Sequence, residues 1–278
     1  MFRLWNNFKT TLLMGGLMGL CLAVGYALGG RAAMLPALLV GAVMNLFAYF
    51  FSDKIALATM RAVEASHDDD PVLVGTVQQL AERANLPMPR VYISPAAAPN
   101  AFATGRGPRH SAVCVTAGLR QMLAQTELEG VLAHELSHIK HRDILISTIA
   151  AIVAGAISWL SYLAFWSGRD DRKSGNPLIA LLLLILAPVA ATLIQLAISR
   201  SREFEADRLG AELTGSGRGL ANALRKLDAA SHHIPLPVPD SQANMFIVAP
   251  LTGSKMARLF MTHPPVEERI ERLAAMEG

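Results

Sequence analysis

The chain has 278 residues, enough for one domain of ordinary size with additional elements. Hydrophobic residues make up 52% of it and its mean hydropathy is +0.35, high for a soluble enzyme, while a net charge of +3 argues for neither nucleic acid nor an acidic substrate. Its two cysteines, Cys21 and Cys114, sit in an apolar run and a strand-like run. They read as buried small hydrophobes rather than a disulfide framework, so any metal site must use histidine and carboxylate.

Two apolar runs come first, Thr10 to Leu28 and Ala32 to Phe51, separated by Gly29-Gly30-Arg31. Each is about 20 residues, the length that crosses a hydrocarbon core of roughly 30 Å. A signal peptide is the rival for the first, but the second follows at once, which favours a helical hairpin. Ser52 to Ser66 is a mixed, amphipathic connection. Asp68-Asp69-Asp70-Pro71 then starts a helix that runs to about Ala84, with Leu73, Val77, Leu80 and Ala84 on its inward face and Pro87 and Pro89 ending it. Arg90 to Ser94, Asn100 to Gly105 and Ser111 to Thr116 read as short strands, the last two joined by the basic turn Arg106-Gly107-Pro108-Arg109. Leu119 to Ala124 is a short helix.

The next helix carries His134-Glu135-Leu136-Ser137-His138. Thr126 with Glu129 reads as a capping box, which starts this helix near Glu127. Leu128, Val131, Leu132, Leu136 and Ile139 form its apolar stripe. Positions i and i+4 share a helix face, so His134 and His138 can point at one zinc ion. Glu135 can reach a water on that ion and act as general base. Two unrelated histidines on a surface helix are the plain alternative.

A third apolar run, Ile144 to Trp166, and a fourth, Leu178 to Ile198 with Pro188 inside it, flank the polar turn from Ser167 to Asn176. With four crossings, Arg3, Lys9, Lys54, Arg61, Lys140, Arg142, Arg200 and Arg202 fall on one side. The positive-inside rule puts that side, with both termini and the catalytic region, in the cytoplasm. Glu203 to Leu213, Leu220 to Ala230 and Pro265 to Met276 read as helices, and Ile234 to Gly253 as a long loop, either packed on the surface or able to gate the site. The expected organisation is a membrane hairpin and its connection (1–66), a first catalytic part (67–143), a second hairpin (144–199) and a second catalytic part (200–278).

Catalytic zinc takes three protein ligands and keeps one open position. Glu203, in Arg202-Glu203-Phe204-Glu205-Ala206-Asp207, is the leading candidate for the third, with ordinary solvated helix charges as the alternative. Asp207 lies one turn on and could accept the other ring N–H of a ligand histidine. His67, His110, His141, His232 and His233 read as solvated or interfacial, and Asp143 could stabilise the motif helix or a nearby Arg but receives no chemical role.

Together with Pro99 to Gly105 and Thr262 to Ile270, these motifs give the chain a resemblance to the HtpX-type membrane zinc endopeptidases, relatives of the type 1 CAAX prenyl proteases. The resemblance covers nearly the whole chain. It implies a mainly α fold with a small β-sheet (α+β), zincin-like and built around four transmembrane helices. It implies one zinc per chain held by His134, His138 and Glu203, with Glu135 as base and Asp207 behind a ligand. Asn100, with Ala101 and Phe102, would bind the substrate backbone, and His263 would stabilise the oxyanion. The implied partners are polypeptides, chiefly misfolded or damaged membrane proteins, and the lipid bilayer of a bacterial inner membrane. A processing protease with one substrate and a zinc-binding scaffold without turnover are the competing functions.

Overall fold

The computed structural model describes residues 2–144, 200–231 and 264–276. Among these, the helices are α1 (Phe2–Thr59), α2 (Pro71–Arg83), α3 (Ala117–Met122), α4 (Gln125–His141), α5 (Arg200–Thr214), α6 (Arg218–Ser231) and α7 (Val266–Ala275). The strands are β1 (Val63–Glu64), β2 (Arg90–Ser94), β3 (Ala101–Gly107) and β4 (His110–Thr116). The fold is mainly helical with a small mixed sheet, an α+β arrangement. The third and fourth apolar runs beyond Ile144, the loop Ile234 to Gly253, His232, His233 and His263 lie outside the described residues.

The sheet has the order β1-β2-β4-β3, with β2 and β4 parallel and the two outer pairs antiparallel. Side chains alternate between its faces. Val113 and Val115 of β4 and Val91 of β2 join the main core, with Leu73, Val77 and Leu80 of α2, Leu128, Leu132 and Leu136 of α4, and Leu220, Leu224 and Leu227 of α6. Ala112 and Cys114 of β4, Tyr92 and Phe102 face the other way and are covered by Ala56, Leu57 and Met60 at the end of α1. The sheet is therefore a middle layer, and the first helix ends packed against one of its faces.

The apolar stripe of α4 is fully enclosed: Leu128, Val131, Leu132, Leu136 and Ile139 are each 0% exposed. Burial of a side chain of this size stabilises by roughly 1.5–3 kcal/mol, so α4 is held rigidly as the central helix. Its start differs from the expected capping box. The helix begins at Gln125, and the Glu127 carboxylate accepts the Ala124 N–H at 2.8 Å. Glu129 instead accepts from Gln125 in the same turn at 3.2 Å. The N-terminus of α2 follows expectation, with Pro71 in the first turn and the Asp70 carboxylate accepting from Leu73 N at 2.9 Å.

α1 turns back on itself at Gly30, which has φ +61°. A Cβ built on Gly41 would lie 3.0 Å from both Cβ and Sγ of Cys21. Twenty residues of straight helix would separate them by about 30 Å, so the two arms pack together. Cys21 is only partly buried there, whereas Cys114 is buried as expected. Among the described residues no helix is long and apolar enough to cross a membrane, and the expectation of four spans is left unconfirmed. The second arm of α1 does turn Leu35, Leu39, Val43, Leu46 and Phe50 outward, 47–66% exposed. The segment read as a plain connection ends in β1, whose two residues pair with Tyr92 and Ile93.

Candidate metal centre

α4 and α5 cross beside His134, and Gly210 allows the approach. A Cβ there would stand 3.2 Å from His134 N and 3.4 Å from His134 Cα. The crossing brings Glu203, from the first turn of α5, against the two histidines of α4. His134 Nε2 and His138 Nε2 are 3.2 Å apart; Glu203 Oε2 is 3.7 Å from the first and Oε1 3.6 Å from the second.

These three separations test whether a metal fits. A tetrahedral ion with bonds of about 2.0–2.2 Å has ligand–ligand edges of about 3.3–3.6 Å. The spacing of the two imidazole nitrogens, and of each from the nearer Glu203 oxygen, falls within a few tenths of an ångström of that edge length. The donors are two imidazole nitrogens and a carboxylate, a set suited to a catalytic ion with one open position. The residues present fit the group.

The outer nitrogens of both rings are held. His134 Nδ1 lies 2.9 Å from Asp207 Oδ1, and His138 Nδ1 lies 3.4 Å from Asp143 Oδ2. Such partners fix tautomer and ring orientation, leaving each Nε2 directed into the triangle. Asp143 reaches its place because Arg142 takes the left-handed conformation, φ +61°. The chain turns sharply after α4, and Asp143 N–H donates to His138 O at 2.9 Å.

Charge in this pocket is dense and buried. Burial pushes the Glu135 carboxyl up, against the pull of His134, His138 and the Ala103 N–H. Burial alone would lower the His138 imidazole, but Glu203, Asp143 and Glu135 together raise it to about 9. Asp207 is desolvated too, yet the guanidinium of Arg269 and the His134 ring hold it down at about 2. One Glu135 oxygen, Oε2, accepts from the backbone N–H of Ala103 at 2.8 Å. Ala103 belongs to β3, the edge strand beyond β4, so the edge of the sheet runs directly past this carboxylate.

Residues 68–277 match the model of peptidase family M48. The chain belongs to this family. It is 52% identical over 278 residues to the protease HtpX homolog of Pelotomaculum thermopropionicum, covering 98% of this chain and 99% of that one. A second protease HtpX homolog, from Syntrophotalea carbinolica, is 53% identical over 279 residues with the same coverage. Among solved structures, the crystal structure of S. mikatae Ste24p aligns with a TM-score of 0.50 at 19% identity. That alignment covers 93% of this chain and 62% of that longer one, and it speaks to the fold alone. The M48 peptidase is thus a metalloprotease, a hydrolase, with an HtpX-type sequence throughout.

Of the residues singled out in the M48 peptidase sequence, His134, Glu135, His138, Glu203 and Asp207 come together in one pocket. Asn100 directly precedes β3. Its backbone N–H donates to Thr116 Oγ1 at 2.8 Å, and its buried Nδ2 finds no partner among the described residues. The Ala101 and Phe102 side chains are buried on opposite faces of the sheet, which leaves only their backbone for contact with a peptide.

Asp143 meets a nearby arginine, as the sequence suggests: Arg202 donates to its Oδ1 at 3.3 Å. Its second contact, against a candidate ligand at 3% exposure, and the part played by Arg269 are not anticipated from the sequence. Arg269 is 0% exposed and grips Asp207. The available signal for Arg269 was its place three residues after Val266 and one before Ile270, on the apolar face of α7.

Proposed function

We propose that this peptidase is a membrane-bound zinc endopeptidase that cuts extended polypeptides at the cytoplasmic membrane surface, with misfolded membrane proteins as its substrates. The observation that carries the reading is the triangle of His134, His138 and Glu203 with Glu135 beside it. Zinc held by these three residues supplies positive charge that acidifies water and polarises a carbonyl. Glu135 takes the proton of the attacking water and returns it to the leaving amine. Asp207 and Asp143 keep the two rings oriented through the cycle.

β3 presents the substrate. An edge strand can pair with an extended chain through its backbone, and Ala103 sets that edge against Glu135. Asn100 at the head of the strand carries a buried amide, without a partner among the described residues, for a backbone carbonyl. His263 fills the oxyanion role by resemblance alone. The membrane assignment is supported by the outward apolar side chains on α1 and by the apolar runs of the sequence. The cytoplasmic side is supported by the basic residues that flank those runs.

Cleavage of casein by the detergent-solubilised full chain tests this reading. Turnover should require zinc, vanish with chelator, and fall on the order of 10²–10⁴-fold in Glu135→Gln. Full turnover in Glu135→Gln would refute the assigned base. One zinc bound per chain without cleavage under any condition would favour the processing protease with one substrate, or the scaffold.

A further inference from the structure

We propose that Arg269, in the last described helix, is a positioning residue of the metal centre. It locks Asp207 so that Asp207 can fix the His134 ring. The proposal rests on reading His134, His138 and Glu203 as metal ligands.

Arg269 heads the largest fully buried side chains of the described residues. Its guanidinium meets Asp207 as a fork on a fork: Nε donates to Oδ2 at 2.8 Å and Nη2 to Oδ1 at 2.7 Å. Asp207 Oδ1 is the same oxygen that lies 2.9 Å from His134 Nδ1. The third guanidinium nitrogen, Nη1, stands 4.0 Å from Glu203 Oε2. One cation therefore touches the carboxylate that orients a ligand and faces the carboxylate that is a ligand. A planar guanidinium can hold both oxygens of Asp207 at a fixed angle; a lysine ammonium is a point charge and cannot.

The need for a cation here follows from the pocket itself. Glu135, Glu203 and Asp207 are all buried within it, 3–6% exposed. An unpaired Asp207 would swing toward any nearby donor, and His134 would lose its fixed ring angle. The contacts on the His138 arm are longer, 3.4 Å from His138 Nδ1 to Asp143 and 3.3 Å from Arg202 Nη1 to Asp143, than the 2.7–2.9 Å contacts around Asp207. Attachment of α7 does not depend on Arg269 alone. Leu273 of that helix is 0% exposed in the core, and Arg272 stacks 3.6 Å over the Phe204 ring. The grip on Asp207 thus adds orientation at the site to an attachment that α7 already has.

The test uses the full chain in detergent, with Arg269→Met, Arg269→Lys and Arg202→Met. Zinc affinity is measured by chelator competition, and ligand geometry by the visible spectrum of the cobalt-substituted protein. Arg269→Met should bind zinc about 10–100-fold more weakly, the usual effect of removing a partner of a metal ligand, with altered cobalt bands. Arg269→Lys should recover part of the loss, and Arg202→Met should lose less than Arg269→Met. Wild-type affinity and spectrum in Arg269→Met would overturn the proposal. If Arg269→Met does not fold, Arg269→Lys decides, and wild-type affinity in it overturns the proposal equally. A wild-type chain that takes up neither ion overturns the metal-centre reading, and this inference with it.

Discussion

Gly130→Ala and Gly75→Ala are the same substitution in two helix interiors, and the structure predicts opposite signs. Alanine is favoured over glycine in a helix by up to about 1 kcal/mol. At Gly75, in α2, a Cβ meets nothing within 4 Å, so this gain should appear in full as roughly 0.5–1 kcal/mol of added stability. At Gly130, one turn before His134 on α4, a Cβ would lie 2.5 Å from Leu220 N, 2.9 Å from its Cα and 3.0 Å from Gly219 C. All three are backbone atoms at the start of α6, which no rotamer change can move. Ordinary contact begins at 3.4 Å, so α6 must retreat by about 0.9 Å, the difference of 3.4 and 2.5. Leu220, Ala223, Leu224 and Leu227 of that helix are 0–3% exposed and would be drawn out of close packing with it. Overpacking of this kind costs typically 1–3 kcal/mol; less a propensity gain of about 0.5–1 kcal/mol, a net loss of up to about 2.5 kcal/mol is expected. Thermal unfolding should be followed on metal-free protein in chelator, because bound metal would add a stabilisation that depends on each variant's own affinity. Gly130→Ala at or above the wild-type midpoint would refute the packing argument. Failure of Gly75→Ala to rise would refute the propensity half.

Two further outcomes are expected away from the pocket. Burial pushes the Cys114 thiol up to about 12, and the residue is 0% exposed between β4 and the end of α1. At pH 8 it should resist alkylation in the folded protein and react fully in denaturant; rapid native labelling, seen by peptide mass, would contradict the covered sheet face. Asp70→Ala removes the cap on Leu73 N and the 3.0 Å pair with Arg120, and should cost about 1–2 kcal/mol. Burial opposes ionisation of Asp70, but Arg120 and the Leu73 N–H outweigh it and hold the carboxyl below its usual value. A depressed carboxyl stabilises above its unfolded range and loses that contribution as pH falls through its folded one. The wild-type and Asp70→Ala midpoints should therefore converge in acid; a gap that widens on acidification would show the sign to be wrong.

What the sequence discloses about this fold follows from which signals are local. The α4 stripe and the spacing of His134 and His138 are properties of one helix, so periodicity places them on their faces without further information. Asp70 and Pro71 mark the start of α2 for the same reason. β1 is invisible because two residues carry no period, and it exists only through pairing with Tyr92 and Ile93. The start of α4 was misread because the N-cap is Ala124, which offers no side-chain acceptor, and the shape is fixed by Glu127 from within. Asp143 is reached only through the left-handed turn at Arg142, where nothing in the residue type demands it. Arg269 is the sharpest case. Its position between Val266, Ile270 and Leu273 puts a charge on a face otherwise reserved for the core. A charge placed so can persist only if a buried partner awaits it. The sequence already contains that demand, and Asp207, on a helix more than fifty residues upstream, is what answers it. An inward charge on an amphipathic helix is therefore a pointer to a distant acidic site even where periodicity cannot say which one.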